Sequence, residues 1–221
     1  MKRTSAYIPI FALFILLFSC NDENNYDIVI YEHQFDNENP NRIENYVTHD
    51  FNGSGALGPF NNDGFELEFN NLEDHKFIVV QFDLYIHDAW DGESVGIDGP
   101  DFWFLELTEE KGKANLGDFI FQTTFSTSPC LPNFCRPQSY PNSYPFSVDP
   151  DTGVDDHSNG RCFKSDAEDG TSIYHIEKYI SHRARNAHLS VYDSLVQLNV
   201  DPPSCDESWS IDNLLIRLIN F

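Results

Sequence analysis

The chain has 221 residues, with 36 acidic and 13 basic side chains and a formal charge of −23. Such a surface repels nucleic acid and anionic headgroups and favours cations, cationic partners or neutral ligands, although solubility alone also accounts for it. The 19 Phe and 10 Tyr suit strands more than helices, and the length suits one domain with a full-sized core.

Taken in chain order, residues 1–19 read as a secretory leader. Lys2 and Arg3 form a positive start, and Tyr7 to Phe18 is an apolar run too short to span a bilayer comfortably. It ends in Leu17-Phe18-Ser19-Cys20, which matches the lipobox of bacterial lipoproteins and makes Cys20 the lipidated residue. Residues 20–27 are then the lipidated cysteine and a flexible acidic tether, so the expected membrane contact is a lipid anchor. That tether resembles those of surface-exported Bacteroidetes-type lipoproteins, which implies an outer-membrane lipoprotein exposed on the cell surface. Residues 28–221 are left as the folded domain.

Within this domain Ile28 to Phe35 reads as a first strand, Gly53 to Gly64 as a turn-rich loop, and Phe65 to Phe69 as an alternating second strand. In the next stretch Ile78, Val80, Phe82, Leu84 and Ile86 share one face, whereas Gln81, Asp83, Tyr85 and His87 lie on the other. That is a long strand with one buried side, as in an antiparallel sheet. It runs into an acidic, glycine-containing turn from Asp88 to Asp101, then a strand from Phe102 to Leu107. Phe119 to Phe125 is a further strand. From Ser126 to Gly170 the periodicity dissolves, and a stretch of this length in a compact domain is often a binding or lid loop. Ile173–His182 and Ala187–Tyr192 read as a hairpin pair, with a short helix over 176–187 as the alternative. Glu207 to Leu218 is the last strand, and its change of parity at Asp212-Asn213 predicts a β-bulge or a corner. About eight strands without sustained helical periodicity predict an all-β fold, an antiparallel β-sandwich of jelly-roll type.

With Cys20 assigned to lipid, Cys130, Cys135, Cys162 and Cys205 remain. In an exported domain an even number predicts two disulfides. Cys130 and Cys135 bracket a short Pro-containing loop and pair locally, which leaves Cys162 with Cys205. Zinc is the rival, but a C-x4-C followed by widely separated cysteines is not zinc spacing.

Three groups of residues occur in a telling order. Trp90-Asp91-Gly92 precedes Gly99-Pro100-Asp101-Phe102-Trp103; Thr123-Thr124-Phe125-Ser126 precedes Gln138-Ser139-Tyr140-Pro141; and Asp206-Glu207-Ser208-Trp209-Ser210-Ile211-Asp212-Asn213 closes the series. Together they resemble a group of secreted bacterial lectin-like jelly-roll domains, often anchored to the cell surface. A His-bearing strand of that group is matched by His182, and Ser210 stands where the group has glycine. The cysteines and the acidic stretch 149–169 lie outside the pattern. The resemblance implies a carbohydrate-binding or adhesive architecture.

Several side chains are candidates for chemistry. Asp91, Asp101, Asp206, Glu207 and Asp212 fall at strand ends and could converge on one structural calcium ion (Ca2+), whereas the plainer reading has turn aspartates capping their own backbone. Flat aromatic faces suit pyranose rings; of Trp90, Trp103 and Trp209, two belong in a core. Trp90, with Tyr140 and Tyr144 on the long loop and His182, are the expected ligand-binding residues. No H-E-x-x-H, G-x-S-x-G or P-loop occurs. The enzyme alternative is a polysaccharide lyase using Tyr, His182, Arg183 and Arg185, or a paired-carboxylate hydrolase. An adhesive or structural surface subunit is the third reading. The sequence therefore predicts a surface-anchored lipoprotein whose β-sandwich binds extracellular glycan or a matrix component without catalysis, with no nucleic-acid partner.

Overall fold

A computed structural model describes residues 25–36, 39–95, 99–113, 115, 118–196 and 200–221. Cys20 and the leader lie outside these residues. Among the described residues, eleven strands build two antiparallel sheets. The larger takes β1 (Tyr26–His33), β2 (Thr48–Phe51), β3 (Ser54–Phe60), β5 (Phe77–Asp88), β8 (Asp156–Ser158), β9 (Thr171–Ser181) and β11 (Glu207–Asn220). The smaller has the order β4 (Gly64–Phe69), β10 (Ala187–Ser194), β6 (Phe102–Thr108), β7 (Phe119–Thr124). In the larger sheet β5 and β11 lie at the centre; β5 pairs along one edge of β11, while β3 and β1 share the other edge in succession. This is a β-sandwich of jelly-roll type.

Alternation explains the core. Ile78, Val80, Phe82, Leu84 and Ile86 of β5 are all at most 1% exposed. Across the gap the inward parity of the smaller sheet supplies Phe65, Leu67, Trp103, Leu105, Leu189 and Val191. Trp209 from β11 and Trp103 from β6 meet edge to face, with ring centroids 6.0 Å apart, so one aromatic contact ties the two layers together. The parity change at Asp212-Asn213 is a β-bulge: Asn213 takes φ 54, and the register with β5 shifts between Asp212 and Leu215. Trp209 and Ile211 before it and Leu214, Ile216 and Leu218 after it all reach the core for that reason.

Three expectations are corrected. The segment Gly53–Gly64 is not a loop throughout, since it contains β3. Its glycines belong there because the backbone pairs on both sides: Gly58 has φ +122, and a Cβ on it would sit 2.9 Å from the Trp209 carbonyl oxygen. The strands β9 and β10 are not a hairpin. β9 pairs with β5, β10 pairs with β4 and β6, and residues 182–186 carry the chain from one sheet to the other. Each strand has one apolar face, and facing each other across the core buries both. The first strand also begins earlier than expected, at Tyr26 rather than Ile28.

The long segment 126–170 is nailed down rather than free. Gln138 is fully buried within it; its amide donates to the carbonyls of Tyr140 and Thr152, and its Oε1 accepts the backbone N–H groups of Ser126 and Asp151. Disulfides join Cys130 to Cys135 and Cys162 to Cys205, as the spacing predicts.

Candidate functional site

Four side chains were expected to bind ligand, and the fold does not gather them on one surface. Trp90 is fully buried, lies edge-on to Phe125, and donates its indole N–H to the Ser208 carbonyl at 3.0 Å. Tyr140 is only 8% exposed, packs on Phe125 and Tyr174, and has its hydroxyl pushed up to about 12, chiefly by burial. Both are therefore core, not ligand platforms. His182 stacks on the buried His75, with His75 Nε2 and His182 Nδ1 2.7 Å apart. Burial first, and the neighbouring His75 second, push it down to about 4. Tyr144 is the exception: it is 39% exposed and meets Phe102 edge to face at 5.0 Å.

The five acids do not converge either. Asp101 is buried; its two oxygens accept the backbone N–H groups of Asp91 and Val196, and burial pushes it up to about 7. Asp91 is ion-paired to Arg136. Asp206 lies near Asp88, and burial, then that neighbour, raises it. Glu207 stands opposite Asp88 in the β5–β11 ladder. Asp212, five positions further along β11, faces Asp83 and accepts from the Ser54 hydroxyl at 3.0 Å. Five residues of strand is roughly 17 Å, so these groups cannot share one calcium shell of ligands at about 2.3–2.6 Å. Among the described residues, Cys130, Cys135 and Asp149 do lie close enough to share an ion, but the disulfide leaves neither sulfur as a thiolate.

The structure instead gathers polar and aromatic groups on the outer face of the smaller sheet. Phe102, Phe104 and Glu106 alternate outward from β6 against the inward Trp103, Leu105 and Leu107. On β10 the outward set is His188, Ser190 and Tyr192, and on β4 it is Glu66 and Glu68. The register aligns them in cross-strand rows. Tyr192 lies opposite Phe104, Ser190 stands between Glu66 and Glu106, and His188 stands between Glu68 and Thr108. The Tyr192 and Phe104 rings stack with centroids 4.6 Å apart and planes 11° apart. Phe102 extends the row from Phe104 at 6.0 Å, and Tyr144 caps it, held by its backbone N–H on the Gln122 carbonyl of β7. The Tyr192 hydroxyl donates to Glu106 at 2.7 Å, and burial, then that carboxylate, raises its pKa.

His188 is 4% exposed, with Nε2 3.7 Å from Glu66, Nδ1 3.8 Å from Glu68, and the Ser190 hydroxyl 3.1 Å from Nε2. The face thus offers half-exposed rings beside carboxylates and a hydroxyl that can take hydrogen bonds from a polyol.

No family model and no curated protein matches the chain. Solved structures similar to it in overall shape are family 29 carbohydrate-binding modules. One in complex with cellulohexaose has 10% identity and a TM-score of 0.33, covering 87% of this chain and 91% of that one. Another, complexed with mannohexaose, has 9% identity and the same TM-score, covering 87% and 92%. At this distance the likeness adds nothing to the two sheets seen directly.

The sheet face was readable only in part. The run Phe102-Trp103-Phe104-Leu105-Glu106-Leu107 is apolar on both parities at its start, so alternation alone does not show which rings face out. Glu106 is the signal that could have decided it, since a carboxylate on the parity of Phe102 and Phe104 marks the solvent side.

Proposed function

We propose that this chain is a non-catalytic glycan-binding protein, held by a lipid on Cys20 at the outer face of a bacterial outer membrane. The observation that carries the binding reading is the row Tyr144, Phe102, Phe104, Tyr192 set beside Glu106, Ser190 and Glu66 on an open sheet face. Carbohydrates present apolar C–H faces and hydroxyl donors together, and such a surface meets both. The resemblance of the sequence motifs to lectin-like domains supports the same reading, and the lipobox supports the anchor. For the lyase alternative, His182 is engaged with His75, and Arg183 and Arg185 are exposed on the crossover between sheets. No observation favours it.

A glycan array probed with the purified protein tests the proposal, run beside Phe104→Ala and Tyr192→Ala. Binding lost in both variants is the expected result. A folded protein that binds no glycan, or whose binding ignores both changes, overturns it. Mass spectrometry of the membrane-extracted protein tests the anchor, which predicts an acylated peptide beginning at Cys20.

A further inference from the structure

A groove of about 1320 Å³ adjoins the aromatic row. Tyr192, Ser190 and Glu106 wall one end, on the outer sheet face; Tyr46, Val47 and Phe60 wall the other, beyond edge strand β4. The volume exceeds the ~300–1,000 Å³ of pockets that take drug-sized ligands, so a single sugar would leave most of it wet. Tyr46 and Val47 are 38% and 59% exposed there, and Ile28 of β1 adds another exposed apolar group at 38%. One continuous surface therefore runs from rings on the sheet to apolar side chains past its edge.

Its charge is one-sided. Glu66, Glu68 and Glu106 line the sheet part, and Glu44, Asp63 and Glu73 line the rest. The cations are already engaged: Lys111 is ion-paired to Glu66, and the Arg42 guanidinium lies 5.5 Å from the Phe69 ring centre. A uronate or sulfate entering this groove meets an excess of like charge, since its lining holds more carboxylates than cations, in a chain that already carries −23. Hydroxyl groups meet the opposite situation, because ionised carboxylates accept O–H donors in short, strong bonds.

Resting on the glycan reading above, we infer that the ligand is a polysaccharide chain several sugars long that carries no acidic groups. It lies along the Tyr192–Phe104 row and continues over β4 into the groove at Tyr46 and Val47. The exposed rings carry the C–H faces, and the carboxylates of Glu106 and Glu66 hold hydroxyls.

Calorimetric titration with oligosaccharides of two to six sugars, joined to affinity electrophoresis in polysaccharide gels, tests this. Neutral β-glucans, mannans and xylans form one arm, and polygalacturonate, alginate and sulfated galactan the second. The expected result is retardation in the neutral arm and none in the acidic arm, with Kd tightening at least tenfold from dimer to hexamer. Tyr46→Ala, on an exposed loop, weakens hexamer binding about tenfold and leaves dimer binding unchanged, while Phe104→Ala weakens both. Retardation by an acidic polymer equal to the neutral arm overturns the charge argument and leaves the glycan reading standing. Equal affinity for dimer and hexamer overturns the extended path. Binding in no arm overturns both readings together.

Discussion

Tyr192 on β10 and Phe104 on β6 stand directly opposite one another, and their rings stack 4.6 Å apart on the outer face of the smaller sheet. The pair is held by register, and the Tyr192 hydroxyl is further fixed on Glu106. Truncating either ring removes a cross-strand contact of about 0.5–1.5 kcal/mol. If the face binds glycan, the same truncations lower affinity by on the order of tenfold to a hundredfold, about 1.4–2.8 kcal/mol. Titration calorimetry beside a thermal melt separates the two effects: the affinity loss is large where the melting shift is small.

Trp90 gives the converse. It is fully buried and remote from the outward rows, so Trp90→Ala costs about 3–5 kcal/mol through the cavity it leaves. Trp90→Phe, which keeps most of the volume, lowers the denaturation midpoint yet leaves glycan affinity unchanged. An affinity loss in that folded variant would return Trp90 to the binding site.

The two disulfides close loops of very different size, with sequence separations of 5 for Cys130–Cys135 and 43 for Cys162–Cys205. Loop-closure entropy assigns ~2 kcal/mol to the first and ~4 kcal/mol to the second. Replacing each pair by alanine and measuring urea unfolding should show the second replacement as the more damaging. Cys162 also donates its backbone N–H to the buried Asp88, a bond that alanine keeps, so the replacement reports the loss of the cross-link itself.

His182 predicts a pH dependence with a definite sign. Its folded pKa, about 4, lies below the unfolded value of 6.5, so the neutral ring is the form the fold prefers. The contribution to stability is fully present above pH 6.5, is lost as pH falls towards 4, and is gone below that. Because the ring is only partly buried, solvent screening reduces it to about 1–2 kcal/mol. Unfolding free energies of the wild type and His182→Gln, measured from pH 7.5 to 4, should converge as the pH drops. Parallel curves would show that the ring titrates normally.

Adding EDTA should leave the melting temperature unchanged, since Asp212 stands roughly 17 Å along β11 from Glu207, too far for one calcium shell to take in all five acids. A chelator-dependent drop would point to a metal held by other groups.

Period-two alternation was enough to read β5, β4, β6, β7 and the parity switch of β11 from the sequence, because a strand between core and solvent shows its burial in its own residues. The cysteine pairing was legible for a similar reason, one pair being closed by a short local loop. What pairs with what was not. That β9 and β10 lie in opposite sheets, that a glycine-rich stretch forms β3, and that Tyr140 is core while Tyr144 is surface all depend on partners distant in sequence. The binding face shows the division most clearly. The sequence holds Phe102, Phe104, Glu106, Ser190 and Tyr192 as unremarkable members of two strands more than 80 positions apart. Hydrogen-bond register alone sets them side by side, and only the choice of which parity faces the core makes them a surface.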